Sequence, residues 1–140
     1  MNNKKLGNDF ENEFVELLNE HNFWVHRIAQ KSEGQPADVI AVKYGKPFLI
    51  DCKYCSDNVF DTSRIEENQY YAMTKFNGSC LREIGGRQGG AYLAIKLANG
   101  NIYMLDALQF SHIERQGYKS LDEEHLIDLG YDFEEWMGMI

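Results

Sequence analysis

Residues 48–54, Phe-Leu-Ile-Asp-Cys-Lys-Tyr, constrain this chain more than any other stretch. Their aromatic and aliphatic content reads as a β-strand, and alternate residues of a strand project to opposite faces. Leu49, Asp51 and Lys53 therefore share one face, while Phe48, Ile50, Cys52 and Tyr54 share the other. Just upstream, residues 39–42 read as a second strand, joined to the first by Tyr44-Gly45-Lys46 in a tight hairpin. A hairpin centred near Gly45 sets Asp38, at the mouth of its strand, approximately opposite Asp51. Two carboxylates and an ammonium converge on one place.

Neighbouring carboxylates repel each other, and a fold tolerates the pair when a divalent cation lies between them. All-oxygen ligands suit Mg2+ or Mn2+, and the main-chain carbonyl of Cys52 is placed to add a further ligand. A cation there activates water and stabilises charge on a phosphoryl oxygen. Lys53 then has a task, to steer or deprotonate the attacking water or to neutralise charge developing at the phosphate. The first helix, expected over residues 7–21, adds another carboxylate. Glu11 stands three, four and seven residues before Phe14, Val15 and Leu18 and shares their inward face. An inward carboxylate needs a partner, which a metal ion, Lys53 or a water would supply. Taken alone, Asp51 and Lys53 would be a surface ion pair of little energetic value. Convergence of Glu11, Asp38, Asp51 and Lys53 from separate segments favours a site.

The remaining pattern is mixed. Residues 23–29 read as a strand, Lys31-Ser-Glu-Gly-Gln-Pro36 as a loop, and residues 56–61 as a polar loop. Ser63 with Glu66 has capping-box spacing for a second helix running to Phe76, on which Tyr70, Tyr71 and Phe76 read as core. After a glycine-rich connection over residues 85–90 come strands at 91–97 and 102–105, turned by Asn99-Gly100. Ser120 with Glu123 is expected to open a C-terminal helix. The fold class is α/β, an α+β mixed sheet flanked by helices. One domain over residues 1–140 is expected, with a core at 1–106 and an acidic extension at 107–140.

Bulk properties narrow the function. A chain of 140 residues with 44% hydrophobic content supports one core. No apolar run is long enough for a membrane span and no secretory signal opens the chain, so an intracellular, cytoplasmic protein is expected, with no membrane partner. Cys52, Cys55 and Cys80 are an odd set that cannot all pair, which fits reduced thiols, and Cys52-x-x-Cys55 reads as ordinary strand residues rather than half a zinc site. A net charge of −8 is unusual for a phosphate-binding protein. Seven of the acids, Asp122, Glu123, Glu124, Asp128, Asp132, Glu134 and Glu135, lie in the last 20 residues with no Lys or Arg among them, so the rest is near neutral. That acidic segment reads equally as a solvated face, a partner surface or a mimic of DNA phosphates. Arg27 and Lys31 read as solvated charges.

Three motifs carry a resemblance. Gly7-Asn-Asp-Phe-Glu11 on a first helix, Pro36-Ala-Asp38 entering a strand and Asp51-Cys-Lys53 on the next resemble the PD-(D/E)xK nuclease superfamily, most closely its archaeal-type and RecU-like Holliday junction resolvases. The resemblance spans about the first 80 residues. It departs from the motif where Ala37 separates Pro36 from Asp38, and where Asp51 stands in place of the usual glutamate. It implies a restriction-endonuclease-like core, Mg2+ or Mn2+ as cofactor, Glu11, Asp38 and Asp51 as metal ligands, and Lys53 as the residue assisting hydrolysis. Gln69, on the helix after the hairpin, matches a glutamine near the metal or scissile phosphate, although its residue type alone fits a solvated helix position equally well. The implied substrate is DNA, branched DNA such as Holliday junctions above all, cut by a homodimer in bacterial or phage recombination and repair. The alternative is a non-catalytic binding or inhibitor protein, for example phage-encoded, on the same scaffold.

Overall fold

The computed structural model describes residues 3–31, 34–83 and 86–140. Ser32, Glu33 and Gly85, on which parts of the two expected connections fall, lie outside the described residues. A stripe at helical spacing drives the first element: Phe10, Phe14 and Leu18 of α1 (Asn3–Glu20) are all buried. β1 (Trp24–Arg27), β2 (Val39–Lys43) and β3 (Lys46–Tyr54) follow as an antiparallel meander. The β2–β3 turn has Tyr44 at φ 53° and Gly45 at φ 75°, the pair of left-handed residues that a two-residue hairpin requires. It sets Val39 against Ile50 and Ile40 against Leu49, which places Asp38 across from Asp51.

β4 (Val59–Asp61) and a 3-10 turn (Thr62–Arg64) lead into α2 (Glu67–Ser79), and a small ribbon of β5 (Arg82–Glu83) and β6 (Gly86–Arg87) follows. β7 (Gly90–Lys96) then runs parallel to β3, because α2 serves as the crossover that a parallel pair needs. β7 is buried on both faces along all but its last residue, which is why its sequence is a continuous apolar run rather than an alternation. Gly89 stands where β7 begins beside β3; a Cβ there would lie 2.1 Å from the Pro47 carbonyl oxygen, and its φ of 91° also demands glycine. β8 (Ile102–Asp106), a 3-10 turn (Ala107–Gln109), α3 (Phe110–Gln116), β9 (Ser120–Asp122), α4 (Glu123–Leu129), β10 (Tyr131–Asp132) and α5 (Phe133–Gly138) complete the chain. The main sheet has six strands in the order β1-β2-β3-β7-β8-β10, and β4 pairs separately with β9. Helices cover both faces: α1 and α5 pack with Ile50, Tyr92 and Met104, while α2, α3 and α4 pack with Leu49, Leu93 and Leu105. This is the expected mixed α+β fold.

Several local expectations are corrected. Residues 56–61 include strand β4. The Ser63–Glu66 box does not form, because the Asp61 carboxylate accepts from the Ser63 N–H and caps the 3-10 turn first; α2 begins later, with no side-chain bond at its cap. Ser120 belongs to β9, and Asp122 caps α4 in a box with His125. Tyr70 and Phe76 pack on the core, but Tyr71 is on the opposite face of α2 and 69% exposed.

The segment at 107–140, expected as an acidic extension, is woven into the fold. β10 extends the sheet from β8, and Leu121, Leu126, Phe133 and Trp136 are buried. Trp136 stacks on Phe23 at 5.9 Å and meets Phe48 at 5.3 Å and Tyr92 at 5.6 Å, edge to face in both cases. Glu123 ties α4 to the β7–β8 turn by accepting bonds from Asn99, Asn101 and Tyr103. The acids of this segment lie largely outward of a strongly apolar inner face, and a count of charge conceals that face. Trp136→Ala is therefore expected to lower unfolding free energy by about 3–5 kcal/mol, read as a fall in urea midpoint at unchanged slope.

Candidate active site

β3 supplies the centre. Asp38 is held to it twice: its N–H donates to the Ile50 carbonyl at 3.1 Å, and its carboxylate accepts from the Cys52 N–H at 2.8 Å. A strand residue directs its N–H and C=O toward the same neighbour, so the Cys52 carbonyl also projects to the Asp38 side. Asp51 pairs with Lys53 at 3.0 Å, and Lys53 donates to the Gln69 side-chain oxygen at 3.1 Å. Asp51, Lys53 and Gln69 are 3%, 9% and 5% exposed, which rules out the surface ion pair and the solvated glutamine. Gln69 reaches Lys53 because α2 packs on the Leu49 face of the sheet, the face that Asp51 and Lys53 share. An ammonium so enclosed requires this carboxylate and amide.

Burial, and next the negative charge of Asp51, push the Asp38 carboxyl up to about 7, against the bond from the Cys52 N–H, which lowers it. Burial likewise pushes the Cys52 thiol well above its ordinary range, so it remains a neutral SH. Two enclosed carboxylates, one of them held protonated near neutrality, and a carbonyl oxygen on the same side form a donor set that fits a hard dication.

Glu11 is placed differently. It lines a groove of about 770 Å³ together with Asp38, Cys52, Tyr54, Asn8, Gln30, Lys4 and Arg64. Its carboxylate pairs with Arg27 at 2.8 Å, and the same guanidinium donates to Asn12 at 2.7 Å. Among the described residues no three His, Cys, Asp or Glu side chains are gathered closely enough to hold a metal ion. Asp38, Asp51, Lys53 and Gln69 meet directly, and Glu11 joins them only at the groove wall.

Arg27 is thus more than the solvated charge its sequence suggested. The signal was available in strand parity: Arg27 is opposite Val39, which packs against the α1 side of the sheet. Arg64, Asn8 and Gln30 carried no comparable signal, because nothing local says that their loops and helix ends border one groove. Cys52, in β3, packs partly buried against the core on the α1 face, whereas Cys55, just past the end of β3 rather than in a strand, is buried in the core of the other face; both are free thiols.

The model of the archaeal Holliday junction resolvase (hjc) family matches residues 2–140. The chain belongs to that family. Family membership places it in the PD-(D/E)xK nuclease superfamily, among nucleases that act on branched DNA in recombination, and favours the nuclease over the non-catalytic inhibitor. Among solved structures, that of Archaeoglobus fulgidus Hjc, a Holliday junction resolvase from an archaeal hyperthermophile, superposes with a TM-score of 0.67 at 20% identity, covering 94% of this chain and 100% of that one. At that identity the likeness is one of fold. A comparison with curated proteins yields no match. The bacterial or phage setting expected from the sequence finds no support in a family described as archaeal. No helix among the described residues is long and apolar enough to cross a membrane.

Without divalent metal, the folded protein holds a proton on Asp38 between pH 4 and about 7 that the unfolded chain releases. This contribution to stability is full below pH 4 and is lost as pH rises through about 7. Asp38→Asn, which keeps the acceptor for Cys52, is expected to gain in melting temperature relative to wild type across that window, measured in EDTA.

Proposed function

We propose that this chain resolves four-way DNA junctions by divalent-metal-dependent hydrolysis of phosphodiesters, acting as a symmetric homodimer. The observation that carries the reading is the buried row of Asp38, Asp51, Lys53 and Gln69, a costly arrangement of charge with no structural purpose that an apolar row would not serve. Mg2+ or Mn2+, held by Asp38, Asp51 and the Cys52 carbonyl, would supply Lewis acidity toward a phosphoryl oxygen and lower the pKa of the attacking water. Glu11 would join these ligands on exchanging its contact with Arg27.

The protein's own groups do the rest. Asp51 and Gln69 fix the Lys53 ammonium from two sides, so its charge meets a phosphate oxygen without first searching for a rotamer. Lys53 is also the proton-transfer group nearest Asp51 and serves to move a proton during displacement. Gln69 touches Lys53 and acts as its positioning residue. Arg27 holds Glu11 at the groove wall and neutralises it until the metal takes its place. A junction presents two equivalent strands, and a two-fold dimer presents two equivalent sites, which gives paired cuts.

The test is incubation of the purified chain with four-way junction, flap, duplex and single-stranded DNA in Mg2+, Mn2+ or EDTA. Cleavage is expected to require the metal and to favour the junction. Asp51→Asn and Lys53→Ala, shown folded by circular dichroism, are expected to slow it by about 10²–10⁴-fold. Cleavage persisting in EDTA, or at wild-type rate in both variants, would refute the reading.

A further inference from the structure

Two cations line the groove beside the acid pair among the described residues, Lys4 and Arg64, and they are held differently. Lys4 stands exposed at the start of α1. Arg64 is built in: one guanidinium nitrogen donates to the Tyr54 carbonyl at 2.7 Å and reaches the Cys55 sulfur at 3.7 Å, while the group lies over the Phe60 ring at 5.8 Å. Phe60 is fully buried and Tyr54 is the last residue of β3. The guanidinium is thereby located relative to the strand that carries Asp51 and Lys53.

What Arg64 does not touch is equally informative. Asp57 and Asp61 line the same groove, yet no carboxylate of the described residues comes within ion-pair distance of it. In a chain of net charge −8, a guanidinium fixed by a carbonyl and a ring, with Asp61 near enough to attract it but not paired with it, is a charge kept available. Burial pushes the Cys55 thiol up, so the sulfur stays neutral and does not neutralise its neighbour. Among the described residues one of the three guanidinium nitrogens finds a partner; the remaining N–H groups form a planar fork that matches two oxygens of a phosphodiester.

We propose that Arg64 is a phosphate clamp: its free edge binds a backbone phosphodiester of the strand whose neighbouring phosphate enters at Asp38 and Asp51, and so sets that strand in register for cleavage. The inference rests on the nuclease reading above and adds to it a positioning residue for the DNA. The contact is to the backbone, so it carries no sequence preference.

The test uses the whole protein and a labelled four-way junction. Binding is titrated in EDTA over a series of NaCl concentrations, and single-turnover cleavage is followed in Mg2+ at saturating protein. Arg64→Ala is expected to weaken binding about tenfold and to reduce the slope of log Kd against log salt by about one. Cleavage at saturation is expected to fall less than binding, whereas Arg115→Ala, which removes one exposed charge on α3, leaves both unchanged. Arg64→Lys is expected to retain the slope and lose part of the affinity, because it keeps the charge and loses the fork. If Arg64→Ala fails to fold, Arg64→Lys decides, and wild-type affinity in it overturns the clamp. A folded Arg64→Ala with wild-type slope and affinity, its defect confined to melting temperature, overturns it also. Wild-type protein that binds the junction but cuts it in neither Mg2+ nor Mn2+ sinks the nuclease reading instead, and wild-type protein that does not bind it sinks both.

Discussion

The register between β2 and β3 governs everything the groove contains. A strand slipped by one residue turns every side chain to the other face, which here would take Asp38 off Asp51 and set it toward α1. Three features hold the register. The Tyr44–Gly45 turn admits two residues and no more, the Asp38 N–H is bonded to Ile50, and the Asp38 carboxylate is bonded to Cys52. The third is unusual, since a prospective ligand is itself part of the strand pairing. Alignment of the hairpin and assembly of the acid pair are one event.

How much of this could be read from the chain depended on distance along it. The hairpin with Asp38, Asp51 and Lys53 was legible because period-two alternation and a tight turn are local rules. The inward placement of Glu11 followed from helical spacing, but its partner did not. Arg27 arrives from a strand 16 residues away, and only the sheet shows that they meet. Gln69 was ambiguous for a similar reason, because its burial depends on which face of the sheet α2 covers. The end of the chain was misread as peripheral: Phe133 and Trp136 are separated by acids, and a charge total averages over the inner face that seats them among Phe23, Phe48 and Tyr92. Capping was misplaced where two candidates competed. Asp61, two residues before Ser63, and Asp122, two residues after Ser120, took the role that those serines suggested.

Placement also reconciles an acidic protein with a polyanionic substrate. Long-range repulsion from a net charge of −8 is screened within roughly 10 Å at 0.1 M salt, so the charges lining the groove matter most to DNA bound there. Of the acids near it, Glu11 is matched by Arg27 and Asp51 by Lys53. On another side of α1 Glu13 and Lys96 neutralise each other at 2.6 Å. Seven acids of the last 20 residues belong to the segment around α4 and α5, which packs by its apolar side and turns its charge largely to solvent.

The bond from Lys53 to Gln69 joins two elements of different reach along the chain. Lys53 lies on a hairpin strand, a local structure, whereas Gln69 lies on the crossover helix that links β3 to its parallel neighbour β7. Parallel pairing requires closure of a long loop and comes late. A chain with only its hairpin formed would keep the Asp51–Lys53 pair but would lack the Gln69 bond that fixes the ammonium from its second side. On the proposed reading, competence to cut would be conditional on completed topology, a safeguard against half-formed copies acting on DNA.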